Sequence, residues 1–187
     1  MQKFQRSKSR KSNRLKNFDY SSNGEYFVTV CVNDMKECFG EVRDGKMILN
    51  EFGEFVKKCW LEIPQHFKEV ELDEFQIMPN HIHGVLNIYN NNDNIIGDTN
   101  IHGPVGTRHA LSLQDRKHQK LSVIVGSFKS ASSKLIHQSG FTNFQWERSF
   151  YDHIIDTEQE LDKIRDYIIS NPSKWDEDRN NPKNLLK

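Results

Sequence analysis

Apolar positions recur along this chain with two different periods, and each change of period marks a new element. In "EYFVTVCV" (25–32), β-branched and aromatic residues crowd together and predict a strand. "CFGEVRDGKMIL" (38–49) follows as a hairpin with Asp44-Gly45 at its turn. From Asn50 the spacing becomes helical. Phe52, Val56, Cys59 and Ile63 share one face, Phe55 and Trp60 widen it, and Pro64 closes a helix over 51–63. "VELDEFQIM" (70–78) and "HIHGVLNIY" (81–89) predict two strands around Pro79-Asn80. Leu121, Ile124, Val125, Phe128 and Leu135 mark a second long helix that stops near Gly140. "FQWERSFYDHII" (144–155) alternates and predicts another strand. Thr157 and Glu160 then fit a capping box, and the Leu161, Ile164, Ile168 stripe runs to Asn171-Pro172, where proline ends the helix.

Antiparallel strands interspersed with three helices imply an α+β domain with an antiparallel central sheet and helices packed mainly on one face. No period holds over 90–120, which is rich in Asn, Gly and Asp and reads as a loop insertion of the length usually kept for function. The domain is expected over 19–175, with a basic flexible arm at 1–18 and a C-terminal tail at 176–187. There is no internal repeat.

Composition narrows the class. With 35% hydrophobic and 28% charged residues, the chain suits a soluble domain with a modest core. No apolar run approaches the ~20 residues that cross a bilayer. The charged start also lacks a secretory apolar segment, so the expectation is a cytoplasmic protein without a membrane partner. Three cysteines with no C-x-x-C spacing argue against structural disulfides and a cysteine zinc site. The net charge of zero hides an asymmetry. Residues 1–18 carry Lys3, Arg6, Lys8, Arg10, Lys11, Arg14 and Lys16 with no acid, and 107–137 is also basic. Such segments can follow a phosphate backbone, although a solvated tail explains 1–18 equally well.

Candidate chemistry is concentrated in two places. Strand alternation puts His81 and His83 on one face, opposite Ile82, Leu86 and Ile88, roughly 6–7 Å apart along the strand. Two imidazoles so placed can converge on a divalent ion, or they can be two solvent-facing residues of an open sheet. Chance alone supplies about 0.3 His-x-His pairs in a chain of this composition, so the motif needs company. Tyr167 and Asn171 lie one turn apart on the last helix. They suit a nucleophile with a metal or phosphate ligand, or else a core-edge tyrosine with a helix cap.

Four segments, "MPNHIHGVL", "IVGSFKSASSKLI", "FQWERSFYDHII" and "LDKIRDYIISNPSKW", resemble in this order the REP-associated tyrosine transposases. These belong to the IS200-like superfamily of single-tyrosine HUH transposases, and the likeness spans most of residues 25–175. The resemblance implies a ferredoxin-like HUH fold and a metal-dependent enzyme that cleaves and rejoins single-stranded, hairpin-bearing DNA. His81 and His83 would bind Mg²⁺ or Mn²⁺, and Tyr167 would form a 5′-phosphotyrosine intermediate. Asn171 would be the third ligand, one methylene shorter than the glutamine of relatives, with His153 as the alternative. Tyr151 is the rival nucleophile. DNA contacts are expected from Lys129, Ser130, Ser133 and Lys134, and from Arg108 together with 1–18 and 103–120. The relatives act as monomers or homodimers, and a DNA-bound protein would sit at the nucleoid. The competing function is a domesticated, non-catalytic DNA- or RNA-binding protein of the same fold. A histidine-triad hydrolase would need a histidine where Val85 stands.

Overall fold

A computed structural model describes residues 24–89 and 120–184. The basic arm and the insertion over 90–119, Arg108 included, lie outside the described residues. The described elements are β1 (Gly24–Cys31), β2 (Gly40–Arg43), β3 (Lys46–Leu49), α1 (Glu51–Leu61), a short α2 (Ile63–His66), β4 (Val70–Met78) and β5 (His81–Ile88). After the insertion come α3 (Lys120–Gln138), β6 (Tyr151–Ile155) and α4 (Glu158–Ser170), and then 3₁₀ turns at Pro172–Glu177 and Pro182–Asn184.

The main sheet has the order β4-β5-β1-β6, with every neighbouring pair antiparallel. β1 and β4 therefore run the same way with β5 between them, joined through α1 as a split βαβ unit. β5, α3 and β6 repeat that arrangement around β1. This is the ferredoxin-like pattern of an α+β domain. The β2–β3 hairpin forms a separate two-stranded sheet. Its turn residues Asp44 and Gly45 have φ of 51° and 71°, the left-handed pair that a tight hairpin requires and that Asp-Gly tolerates.

Alternation along β1 and β5 sorts the core onto two faces. Tyr26, Val28, Val30, Ile82 and Leu86 pack against Val56, Cys59 and Trp60 of α1 and Leu121, Ile124, Val125 and Phe128 of α3. The opposite face has a smaller cluster, in which Phe27, Val85 and Ile155 meet Leu161 and Ile168 of α4. Two of the three long helices thus share one face, and the third covers the other. Among the described residues no helix is long and apolar enough to cross a membrane.

The expected strand over 144–155 is shorter in the structure. Only Tyr151–Ile155 pairs with β1, and a single Val32–Trp146 bridge precedes it. The carbonyls of Glu147 and Ser149, which a continuous ladder would use, accept hydrogen bonds from Lys129 Nζ at 2.9 and 3.0 Å. The Glu147 N–H still bonds the Cys31 carbonyl at 2.8 Å, so pairing with β1 breaks only between there and Tyr151, where the ammonium caps the carbonyls.

Gly84 lies between the site and the core. A Cβ there would come within 2.3 Å of Trp60 Cζ2, and Trp60 is itself fully buried. Gly84→Ala should therefore destabilise the fold by about 1–3 kcal/mol through overpacking. The measurement is a urea titration, with a lowered midpoint and an unchanged slope expected. An unmoved midpoint would show that Trp60 can step aside.

Candidate metal and nucleophile site

β5 turns Ile82 and Leu86 towards α1 and α3, so His81 and His83 must face the other way. That side of the sheet is closed. Both imidazoles have 0% exposure, roofed by α4 and by the chain that follows it. Their Nε2 atoms stand 2.9 Å apart. Adjacent ligands held at ~2.1 Å from one octahedral ion lie about 3.0 Å from each other, so this separation suits a shared ion.

Hydrogen bonds behind the rings set their tautomers. Asn80 Nδ2 donates to the carbonyls of Met35 and Asn180, at 2.9 and 2.8 Å. Its Oδ1 is therefore the acceptor facing His81 Nδ1 at 2.7 Å, so that nitrogen carries the proton. The lone pair of His81 is left on Nε2. Thr29 Oγ1 lies 2.8 Å from His83 Nδ1, across the β1–β5 register. When Thr29 accepts, His83 also presents its lone pair on Nε2, and an ion between the rings satisfies both nitrogens. Partners of this kind fix ring orientation in metal sites. Burial, together with the positive charge of Arg179, pushes the His81 pKa down to about 3. Burial, followed by the neighbouring His81, pushes that of His83 well below the ordinary range. Both rings are therefore neutral, the form that ligates.

A third donor comes from beyond the last helix. One carboxylate oxygen of Asp178 and the two imidazoles lie within 4.8 Å of one another, and all three residues are buried. Asp178 Oδ2 accepts from Asn171 Nδ2 at 2.8 Å, and its Oδ1 accepts from the backbone of Asn180 at 2.6 Å. The Asn171 Oδ1 atom is buried without a partner, a further oxygen that a cation would satisfy. Two imidazoles and a carboxylate, all buried and within reach of one another, fit a divalent ion.

Tyr167 projects from α4 into this group. Its Oη lies 3.2 Å from His83 Nε2, and its ring meets His83 and Phe27 edge-on. Tyr167 as a whole is 38% exposed, so the side chain that reaches the buried histidine also borders the surface. Burial and the Asp178 charge raise the phenol above its ordinary pKa. α4 reaches this position for reasons written in its sequence. Thr157 Oγ1 accepts from the Glu160 backbone at 3.2 Å, and Leu161 and Ile168 bury against the sheet. At β4, a register shift between Leu72 and Phe75 accompanies Asp73, which accepts a two-pronged bond from Arg165 at 2.9 and 2.6 Å. That fork ties α4 to the sheet two residues before Tyr167.

The other sequence candidates are dispersed. Asn171 is the exception, since its Nδ2 donates to the Asp178 carboxylate beside the histidines. His153 turns to Glu160 at 2.7 Å, at the exposed start of α4, and is not part of the His81–His83–Asp178 group. Tyr151 packs edge-on to Phe27 with ring centroids 6.3 Å apart. Lys129 is committed to the 147–149 carbonyls, and burial lowers its pKa to about 8. Ser130 bonds back to the Gly126 carbonyl; Ser133 is half-buried and Lys134 exposed on α3. Cys31, opposite His81 in the register, keeps its proton because burial pushes its pKa to about 11.

Asp178 was missed because residues from 176 onward read as a tail. The chain here packs onto the histidine pair: Trp175 lies 6.0 Å from the His81 ring, and Asn180 is tied to Asn80. The available signal was "DEDRNNP" (176–182), a cluster of turn-forming residues that also contains three acids and an amide pair.

No protein-family model matches the chain. A Haemophilus influenzae protein of uncharacterised function is 37% identical over 171 residues, covering 91% of this chain and 92% of its own. Among solved structures, a REP-associated tyrosine transposase bound to a REP hairpin is similar at 17% identity and a TM-score of 0.49, over 88% of this chain and 74% of that one. A candidate transposase from Deinococcus radiodurans is similar at 15% identity and a TM-score of 0.44, over 86% of this chain and 96% of that one.

Proposed function

The chain belongs to one family with the Haemophilus influenzae protein, and we propose that it is a transposase-like enzyme that cleaves and rejoins single-stranded, hairpin-bearing DNA. One observation carries this reading: Tyr167 Oη lies 3.2 Å from His83 Nε2, one of a buried, neutral histidine pair. A nucleophile within reach of a metal-binding group is the minimum that metal-assisted phosphoryl transfer to tyrosine requires.

In this reading His81 Nε2, His83 Nε2 and the Asp178 carboxylate hold a divalent ion. Asp178 takes the third place that the resemblance assigned to Asn171. Two imidazoles with one carboxylate favour Mn²⁺ over Mg²⁺, which prefers oxygen ligands and waters. When bound, the ion would neutralise charge on the scissile phosphate and polarise its P–O bonds.

The protein's own part is nucleophilic. Tyr167 Oη attacks phosphorus and loses its proton; the Oη–P bond forms as the P–O3′ bond breaks. The departing 3′ oxygen takes up a proton, and the 5′ phosphate stays on the tyrosine. A phenol with a pKa of ~10 is a better leaving group than an alcohol, so a 3′-hydroxyl can reverse the step without a nucleotide cofactor. On α3, Lys134 and Ser133 are the groups that can reach phosphates of the bound strand.

The test uses the wild-type protein with Mn²⁺ and single-stranded stem–loop oligonucleotides carrying randomised flanks and a 3′ label. Label that remains on the protein through denaturing electrophoresis is the expected result. Binding without attachment, under every divalent metal, would establish the non-catalytic binding protein instead.

A further inference from the structure

We infer that Arg179 is a substrate-binding residue of this site, gripping the non-bridging oxygens of the phosphate that Tyr167 attacks. The inference rests on the reading above and adds a group that the chemistry there does not use. Three observations support it.

The backbone around Arg179 is pinned on both sides. Asp178 Oδ1 accepts from the Asn180 backbone, the Asn180 carbonyl accepts from Asn80 Nδ2, and the Asp178 carbonyl accepts from Asn184 Nδ2 at 2.9 Å. Asn181 Nδ2 closes the turn onto the Trp175 carbonyl, also at 2.9 Å. Arg179 therefore extends from a fixed point next to the metal-site carboxylate, with its side chain exposed.

The guanidinium is seated but unspent. Its carbon sits 5.6 Å over the Tyr151 ring, and among the described residues it has no hydrogen bond or ion pair. The nearest acid in sequence, Asp178, directs its two oxygens to Asn171 and Asn180. Five donors in a planar fork match two phosphate oxygens better than any other side chain does.

Its seat is connected to the nucleophile. Tyr151 meets Phe27 edge-on, and Phe27 in turn meets Tyr167 at 6.1 Å and stacks on His83 at 5.4 Å. One aromatic cluster thus carries Arg179, the nucleophile and a metal ligand on the same side of the sheet. The charge of Arg179 is also felt at His81, His83 and Tyr167, in keeping with that placement. As Oη bonds to phosphorus, negative charge grows on the non-bridging oxygens. Preorganised donors there lower the barrier without forming or breaking any covalent bond.

The experiment compares wild type with Arg179→Gln, Arg179→Lys and Arg179→Ala in the stem–loop assay with Mn²⁺. Arg179→Gln should slow adduct formation by about 10²–10³-fold, while Mn²⁺ still binds, which shows that the fold and metal site persist. Arg179→Lys should retain part of the rate, and added guanidinium ion should restore part of it to Arg179→Ala. Tyr151→Leu, which removes the seat, should cost about threefold to fivefold. Once the cleavage position has been mapped, a methylphosphonate there deletes the charge that Arg179 meets. It should slow wild type far more than Arg179→Gln. An Arg179→Gln rate within threefold of wild type, or equal methylphosphonate sensitivity in both proteins, overturns this inference and leaves the nucleophile intact. Absence of any wild-type adduct overturns both.

Discussion

Tyr167→Phe should leave no covalent protein–DNA adduct, a loss of at least about 10⁴-fold in rate, because no other atom can replace a deleted nucleophile. The substitution is sparing in every other respect. Phenylalanine keeps the edge contacts with Phe27 and His83 and removes only the hydroxyl that sits 3.2 Å from His83. Folding and oligonucleotide binding should therefore stay within about twofold of wild type, a change typical of an exposed site. Attachment is read on a denaturing gel and binding by fluorescence anisotropy. Exposure does not separate the two candidate tyrosines, since Tyr151 is 37% and Tyr167 38% accessible. Position does, because Tyr167 contacts the histidine pair and Tyr151 sits under Arg179. Tyr151→Phe should accordingly still yield adduct. An undiminished adduct from Tyr167→Phe would transfer the nucleophile's role to Tyr151.

The second large effect concerns the metal. His81→Ala and His83→Ala should each weaken Mn²⁺ binding at least about 100-fold, more than the loss of an outer-shell partner usually costs. Calorimetric titration measures this directly. Because alanine also leaves a cavity among buried groups, His83→Gln serves as a second variant that preserves volume. Bound metal should raise the melting temperature of wild type but not of these variants, since only the native state holds the site. The third position can be resolved in the same experiment. Asp178→Asn should weaken binding more than Asn171→Ala if Asp178 ligates and Asn171 only orients it. The reverse order would restore Asn171 as the ligand, through its unpartnered Oδ1. Wild-type affinity in both histidine variants would remove the metal assignment altogether.

Much of this molecule can be read from local pattern. The 3.6-residue spacing of α1, α3 and α4, the Asp44-Gly45 turn and the Thr157 cap all reflect interactions within a few residues, and they appear where the pattern places them. Strand alternation likewise put His81 and His83 on one face, because the period of a strand is a property of its backbone. The strand expected over 144–155 is interrupted before Tyr151, where the carbonyls of Glu147 and Ser149 bond Lys129, 18 and 20 residues earlier in the chain.

The sequence by itself determined most of the elements and the shared face of the two histidines, and its family resemblance pointed to Tyr167 as the nucleophile candidate. Only the tertiary structure decided that this face is buried, that Tyr167 Oη reaches His83, and that the Asp178 carboxylate, from beyond the last helix, comes within reach of both histidines. The physical reason is separation along the chain. Thr29, Asn80, the histidines, Tyr167 and Asp178 come from β1, β5 with its preceding turn, α4 and the turns beyond it. No periodicity relates residues brought together by packing, so a segment that reads locally as a solvated tail can supply a buried carboxylate and, at Arg179, an unspent cation.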